Sequence, residues 1–164
     1  MHHQPDGAAF DIVLLLHVAC VVVGLVTTAA AAATASRLRR LLGSPRPLPE
    51  PLRRYFRPGF NWAGRTMYGI PVFGFALLAM SDGVYALGQG WVLGGLAIFA
   101  AVVLVGEGAL WPAEQRLQVA LASSDAAPAA PPASVAHDAS AMSRAAVAVL
   151  VLLVAGTVLM VAQP

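Results

Sequence analysis

Four stretches of this 164-residue chain are long, apolar and nearly free of charge, and that repetition constrains the fold more than any other feature. They run from about Ile12 to Ala35, Thr66 to Leu87, Trp91 to Leu110 and Ala145 to Ala162. Crossing ~30 Å of hydrocarbon takes roughly 20 residues of α-helix, so each stretch has span length. A backbone in lipid must satisfy its own hydrogen bonds, and the alternation expected of barrel strands is absent, which leaves helices. Composition agrees. The chain is 59% hydrophobic and 11% charged, where a soluble domain carries about 25% charged residues. The sequence therefore predicts an all-α, polytopic membrane protein: one domain, residues 1–164, built as an antiparallel bundle of four transmembrane helices.

The charges set an orientation. All ten basic residues are arginines, and eight of them fall between Arg37 and Arg65. The other two, Arg116 and Arg144, lie between the third and fourth stretches. The N-terminal tail, the Gly88–Gly90 hairpin and the C-terminal end carry none. By the positive-inside rule, loop one (Ser36 to Arg65) and loop three (Trp111 to Arg144) are expected to be cytoplasmic, with both termini outside. The expected setting is a bacterial plasma membrane, because the alanine- and arginine-rich, lysine-free composition looks like that of a high-GC bacterium. Arginines segregated this way do not make the diffuse basic face of a nucleic-acid binder. Met1 to Phe10 has no lysine or arginine ahead of the apolar run, so the first stretch reads as a retained span and not a signal peptide. Pro45, Pro47, Pro49 and Pro51 break loop one, leaving room for a short amphipathic turn over Pro51 to Phe56, with Tyr55, Phe56, Phe60 and Trp62 at interfacial depth. The Ala-, Pro- and Ser-rich stretch at about 119–140 reads as a flexible cytoplasmic tether.

Few side chains at membrane depth can carry chemistry. A neutral imidazole at His17, about a turn and a half into the first stretch, can ligate haem iron or copper or relay a proton. Met80, seven residues before Leu87, falls at a similar depth, about 10 Å in, and a His–Met pair suits haem b or copper. A histidine bonded to a neighbouring helix and a methionine filling an interface are the structural alternatives. His137 lies in the tether, and His2 with His3 reads as solvated tail. Glu107 approaches the arginine-bearing face, where an ion pair with Arg65 (or Arg37 or Arg116) would make its burial tolerable. Asp82 sits toward the other face, where it could cap a helix or meet Tyr85. One cysteine, Cys20, excludes a disulfide framework within the chain. Gly24, Thr28, Ala32 and Ser36 form a small-residue stripe, and Gly90 with Gly94 gives one GxxxG; such faces let helices approach closely in lipid. Gly69, Pro71 and Gly74 point to a kink.

Three segments carry a family likeness: LLLHVACVVVG (Leu14 to Gly24), EGALWPAEQRLQ (Glu107 to Gln118) and the closing LMVAQP (Leu159 to Pro164). With this layout the chain resembles a bacterial family of four-span integral membrane proteins, a domain of unknown function. That family is distantly similar to copper-resistance membrane domains and to haem-containing protoporphyrinogen oxidases, which also open with a histidine in the first span. By that resemblance His17 is the position carried over. The chain departs from those relatives in having no lysine and no second histidine in a span.

No nucleotide loop, nucleophile constellation or soluble domain is present to point to an enzyme. The expectation is a small non-enzymatic accessory or structural subunit of a larger membrane complex, with a respiratory complex as the candidate. It would contact the lipid bilayer and other membrane subunits or further copies of itself. The alternative is a haem b- or copper-binding redox or metal-handling protein centred on His17. A transporter component ranks behind both, because few intramembrane polar groups are available.

Overall fold

A computed structural model describes residues 7–42, 44, 47–81, 83–122 and 133–162, and all regular structure among them is helical. The order is α1 (Ala8–Leu41), α2 (Glu50–Tyr55), α3 (Trp62–Arg65), a 3₁₀ turn (Thr66–Tyr68), α4 (Gly69–Ala79), α5 (Gly90–Val105), a π turn (Gly106–Leu110), α6 (Trp111–Ala122) and α7 (Ala133–Ala162). Among the described residues, three helical runs are long and apolar enough to cross a membrane: Ala8–Leu41, Gly90–Ala122 and Ala133–Ala162.

The second expected span is where the structure differs most from the sequence pattern. Its helix is built in three pieces, from Trp62 to Ala79. Asn61 starts it, its side chain accepting from the Gly64 N–H at 2.9 Å. Pro71 has no N–H to return to Met67, and the chain tightens into 3₁₀ geometry just ahead of it. The helix stops at Ala79, short of Leu87. Ser81 is fully buried; its hydroxyl donates to the Leu78 carbonyl at 2.8 Å and accepts from the Tyr85 N–H at 3.2 Å. That bonding gives the backbone an alternative to the helix ladder. Gly83 follows at φ +82°, a left-handed conformation that favours glycine. The hairpin thus begins at Ser81 and not at Gly88, and Tyr85 closes it edge-on against Trp91 at 5.7 Å. Stretch 119–140 differs too. It is helical through Ala122 and again from Ala133, because alanine favours helix over tether, while residues 123–132 lie outside the described residues.

The packing separates into two compact units, one of Met1–Thr27, Asn61–Val102 and Val151–Pro164, the other of Thr28–Phe60 and Val103–Leu150. In the first unit, helices meet where glycines let them. A Cβ at Gly24 would stand 3.2 Å from Met67 Cβ, one at Gly69 would stand 2.6 Å from Cys20 Sγ, and one at Gly74 would stand 3.4 Å from His17 Cε1. Those pairings run in opposite directions, so α1 is antiparallel to α4. α5 and α7 are antiparallel likewise, through Gly94 with Leu159, Gly95 with Met160 and Ile98 with Gly156. Eighteen large apolar side chains of this unit are exposed, among them Leu15 at 68%, Val72 at 63% and Val161 at 81%, and nearly all the others are half-buried.

The second unit buries its apolar residues inside. Leu38 from α1, Leu52 from α2 and Phe56 just after it, Leu117 from α6, and Met142 and Val149 from α7 are all sealed from solvent. On α7 the buried positions Val135, Ala139, Met142, Ala146 and Val149 recur every three or four residues, which is one helix face. α2 is the amphipathic turn expected from loop one, with Leu52 and Phe56 inward and Arg53, Arg54 and Arg57 outward. Phe56 is therefore core, not an interfacial anchor; of the four aromatics expected at the interface, Phe60 and Trp62 are the exposed ones. The π turn has a local cause as well. Pro112 cannot donate to Gly108, and the glycines at 106 and 108 weaken the α register there.

Candidate functional site

α1 sets His17, Cys20 and Gly24 on one face, three and four residues apart, against α4 and the turn before it. Glycine decides the fit. The imidazole lies in the notch left by Gly74, with Nδ1 3.6 Å and Cε1 3.4 Å from where a Cβ would stand. The Ile70 backbone, one turn earlier on α4, is its polar neighbour. Nδ1 itself is buried without a hydrogen-bond partner. Met80 is the C-cap of α4, six residues past Gly74 and so ~9 Å farther along the helix axis. The group that meets the His17 ring on α4 is Gly74. One imidazole can supply one ligand or hold one proton, and among the described residues no three His, Cys, Asp or Glu side chains cluster to hold a metal ion.

The sequence profile of a family described as "predicted integral membrane protein (DUF2269)" matches residues 11–164. The chain belongs to this family. No protein of curated function and no solved structure matches the chain. Within this DUF2269 chain, Leu14 to Gly24 is the stretch of α1 that carries His17, and Glu107 to Gln118 is most of the π turn with most of α6. Leu159 and Met160 of the closing segment fill the spaces over Gly94 and Gly95.

The α6 segment holds a second polar feature, which the sequence reading did not single out. Glu114 is only 4% exposed although it carries a carboxylate. It sits on the same face as Leu110 and Leu117, four residues after one and three before the other, and that register was the available signal of burial. Tyr55 of α2 brings its hydroxyl against this carboxylate, buried and without a hydrogen bond of good geometry. Burial first, and then the adjacent Glu114 charge, push the Tyr55 phenol well above its ordinary value of 10.0. Gln118, one turn after Glu114, is also buried.

The remaining expected positions are scattered. Gly24, Thr28 and Ala32 are buried, and the Ser36 hydroxyl is 2.9 Å from that of Ser143. Gly94 is in contact with Leu159, whereas Gly90 faces open space; Gly95 against Met160, Gly69 against Cys20 and Gly156 against Ile98 are further close-approach positions. Glu107 is exposed in the π turn of the second unit, and Arg65 is half-buried at the end of α3 in the first. Each of the two engages a partner. His137 is exposed on α7; Asp82, His2 and His3 lie outside the described residues.

Proposed function

We propose that this protein is a non-enzymatic membrane subunit that seats against a larger complex of the bacterial plasma membrane through α1. In this reading four antiparallel helices cross the bilayer, the termini face outward and the arginine-bearing segments are cytoplasmic. The observation that supports it is the exposure of α1. Only 6% of its most apolar window is buried within the chain, against 22% for each of the other two candidate spans. A helix that the rest of its own chain covers so little is the natural face for a neighbouring subunit, because close packing is what drives helix association in lipid. Extraction of native membranes in mild detergent tests this. A stable stoichiometric partner that is lost on placing bulky residues at Leu15 and Val22 is the expected result. A monomer that co-purifies with nothing contradicts it.

A second reading rests on His17, whose Nδ1 is buried and unpartnered. An imidazole in that state suits one axial bond to haem b or one bond to copper, with other ligands from a partner chain. When bound, such a group would supply one-electron chemistry, and the protein's part would be to hold and orient the ring over Gly74. A Soret band or stoichiometric copper that is lost in His17→Ala would support this reading. A colourless, metal-free preparation would reject it.

A further inference from the structure

We propose that the groove between α1 and α7 binds one anionic phospholipid, with its phosphate between Arg37 and Arg144 and Arg40 beside them. Helix register carries the argument. The Ser36 and Ser143 hydroxyls, 2.9 Å apart, put α1 and α7 in contact at that level. The helices are antiparallel, since Gly24 packs on Leu153 while Ser36 meets Ser143. At ~100° per residue, the next residue on each helix turns away from the contact line. In an antiparallel pair the two rotations have opposite sense, so Arg37 and Arg144 emerge on the same side of the seam. Arg40, one turn beyond Ser36, leans to that side also. All three arginines are exposed, and none has a hydrogen-bond or ion-pair partner among the described residues.

Below the arginines the same side is apolar. On α1 it runs back through Ala33 and Ala30, and on α7 forward through Val147, all exposed and all in the second unit. Steps of three and four residues keep each stripe on one face. An acyl chain fits such a stripe, and a guanidinium fork matches a phosphate better than a point charge does. A soluble anion would use the arginines alone, so the apolar stripes that end at them select a lipid. Other arginines do not share the arrangement. Arg39 is rotated to the opposite side of α1, and Arg116 is paired with Asp138 at 2.9 Å.

The test uses the full chain reconstituted in vesicles of phosphatidylcholine and phosphatidylglycerol, then extracted mildly and examined by native mass spectrometry. Wild type is expected to retain phosphatidylglycerol. Retention falls roughly fivefold for R37Q or R144Q and about thirtyfold for the double variant, whereas R39Q/R54Q, which removes the same charge elsewhere, retains it. Excess inorganic phosphate leaves wild-type retention unchanged. Equal retention by R37Q/R144Q, equal loss in R39Q/R54Q, or displacement by inorganic phosphate would each overturn the proposal. If the double variant fails to fold, the two single variants carry the same comparison.

Discussion

The two units of this protein solve opposite problems with one alphabet of helices. Eighteen of the 22 exposed large apolar side chains belong to the first unit, whereas sixteen of the twenty buried apolar side chains belong to the second. Nine of the ten arginines are in the second unit as well. One unit therefore turns its apolar surface outward and relies on glycine contacts for its packing, as a protein does when lipid is the solvent. The other hides its apolar residues and wears charge, as a protein does in water. The comparison teaches that the scarcity of charge is local: charge and buried apolar core gather in the second unit, and exposed apolar surface gathers in the first.

The contrast breaks first under large-to-small substitution. Phe56→Ala empties a site that is 2% exposed and is expected to cost about 3–5 kcal/mol. Phe75→Ala in the first unit, 47% exposed, is expected to cost less than about 1 kcal/mol. Thermal unfolding of the purified protein in detergent measures both, and equal losses would erase the distinction between the units.

Glycine substitution sharpens the lipid side of the comparison. A Cβ at Gly69 would stand 2.6 Å from Cys20 Sγ and 3.3 Å from Phe73 Cε2, so Gly69→Ala is expected to cost roughly 1–3 kcal/mol. Gly90 has nothing within 4 Å, so Gly90→Ala stays within about 0.5 kcal/mol of wild type. The same unfolding assay decides between them.

These positions also mark how far the sequence could be read. The long apolar helices were legible, because length and charge-free composition are enough to recognise them. The glycines were legible as glycines, but Gly69 and Gly74 read as a kink when they are the places where Cys20 and His17 close on α4. The end of α4 was not legible. Val84 to Leu87 keep the apolar pattern going, and only the Ser81 hydroxyl and the left-handed Gly83 divert the chain. His17 stood out in the sequence because an imidazole in an apolar run is conspicuous. Glu114 was missed because a carboxylate beside Gln115 and Arg116 looks solvated until its register with Leu110 and Leu117 is counted.

The smallest effect concerns the water-type unit and pH. Folding raises the Tyr55 phenol above 10.0, so the unfolded chain releases this proton first. The stability it contributes is whole below pH 10.0 and is lost as pH rises through the folded value. Glu114→Gln removes the adjacent charge and should move the phenol back toward its ordinary value, as followed by ultraviolet titration. Tyr55→Phe should flatten the alkaline limb of the stability curve. A Tyr55 that titrates unchanged in Glu114→Gln would show that burial alone sets its pKa.

The division between lipid-facing and water-facing surface is tested most directly by cysteine accessibility in reconstituted vesicles. In a Cys20→Ala background, single cysteines at Val72 and Val154, exposed positions of the first unit, are compared with cysteines at Arg54 and Gln115, exposed positions of the second. A water-soluble, membrane-impermeant maleimide should modify Arg54→Cys and Gln115→Cys when presented on their side of the membrane, and leave Val72→Cys and Val154→Cys untouched until detergent is added. Labelling of Val72→Cys and Val154→Cys in intact vesicles at the rate of the other two would contradict the account.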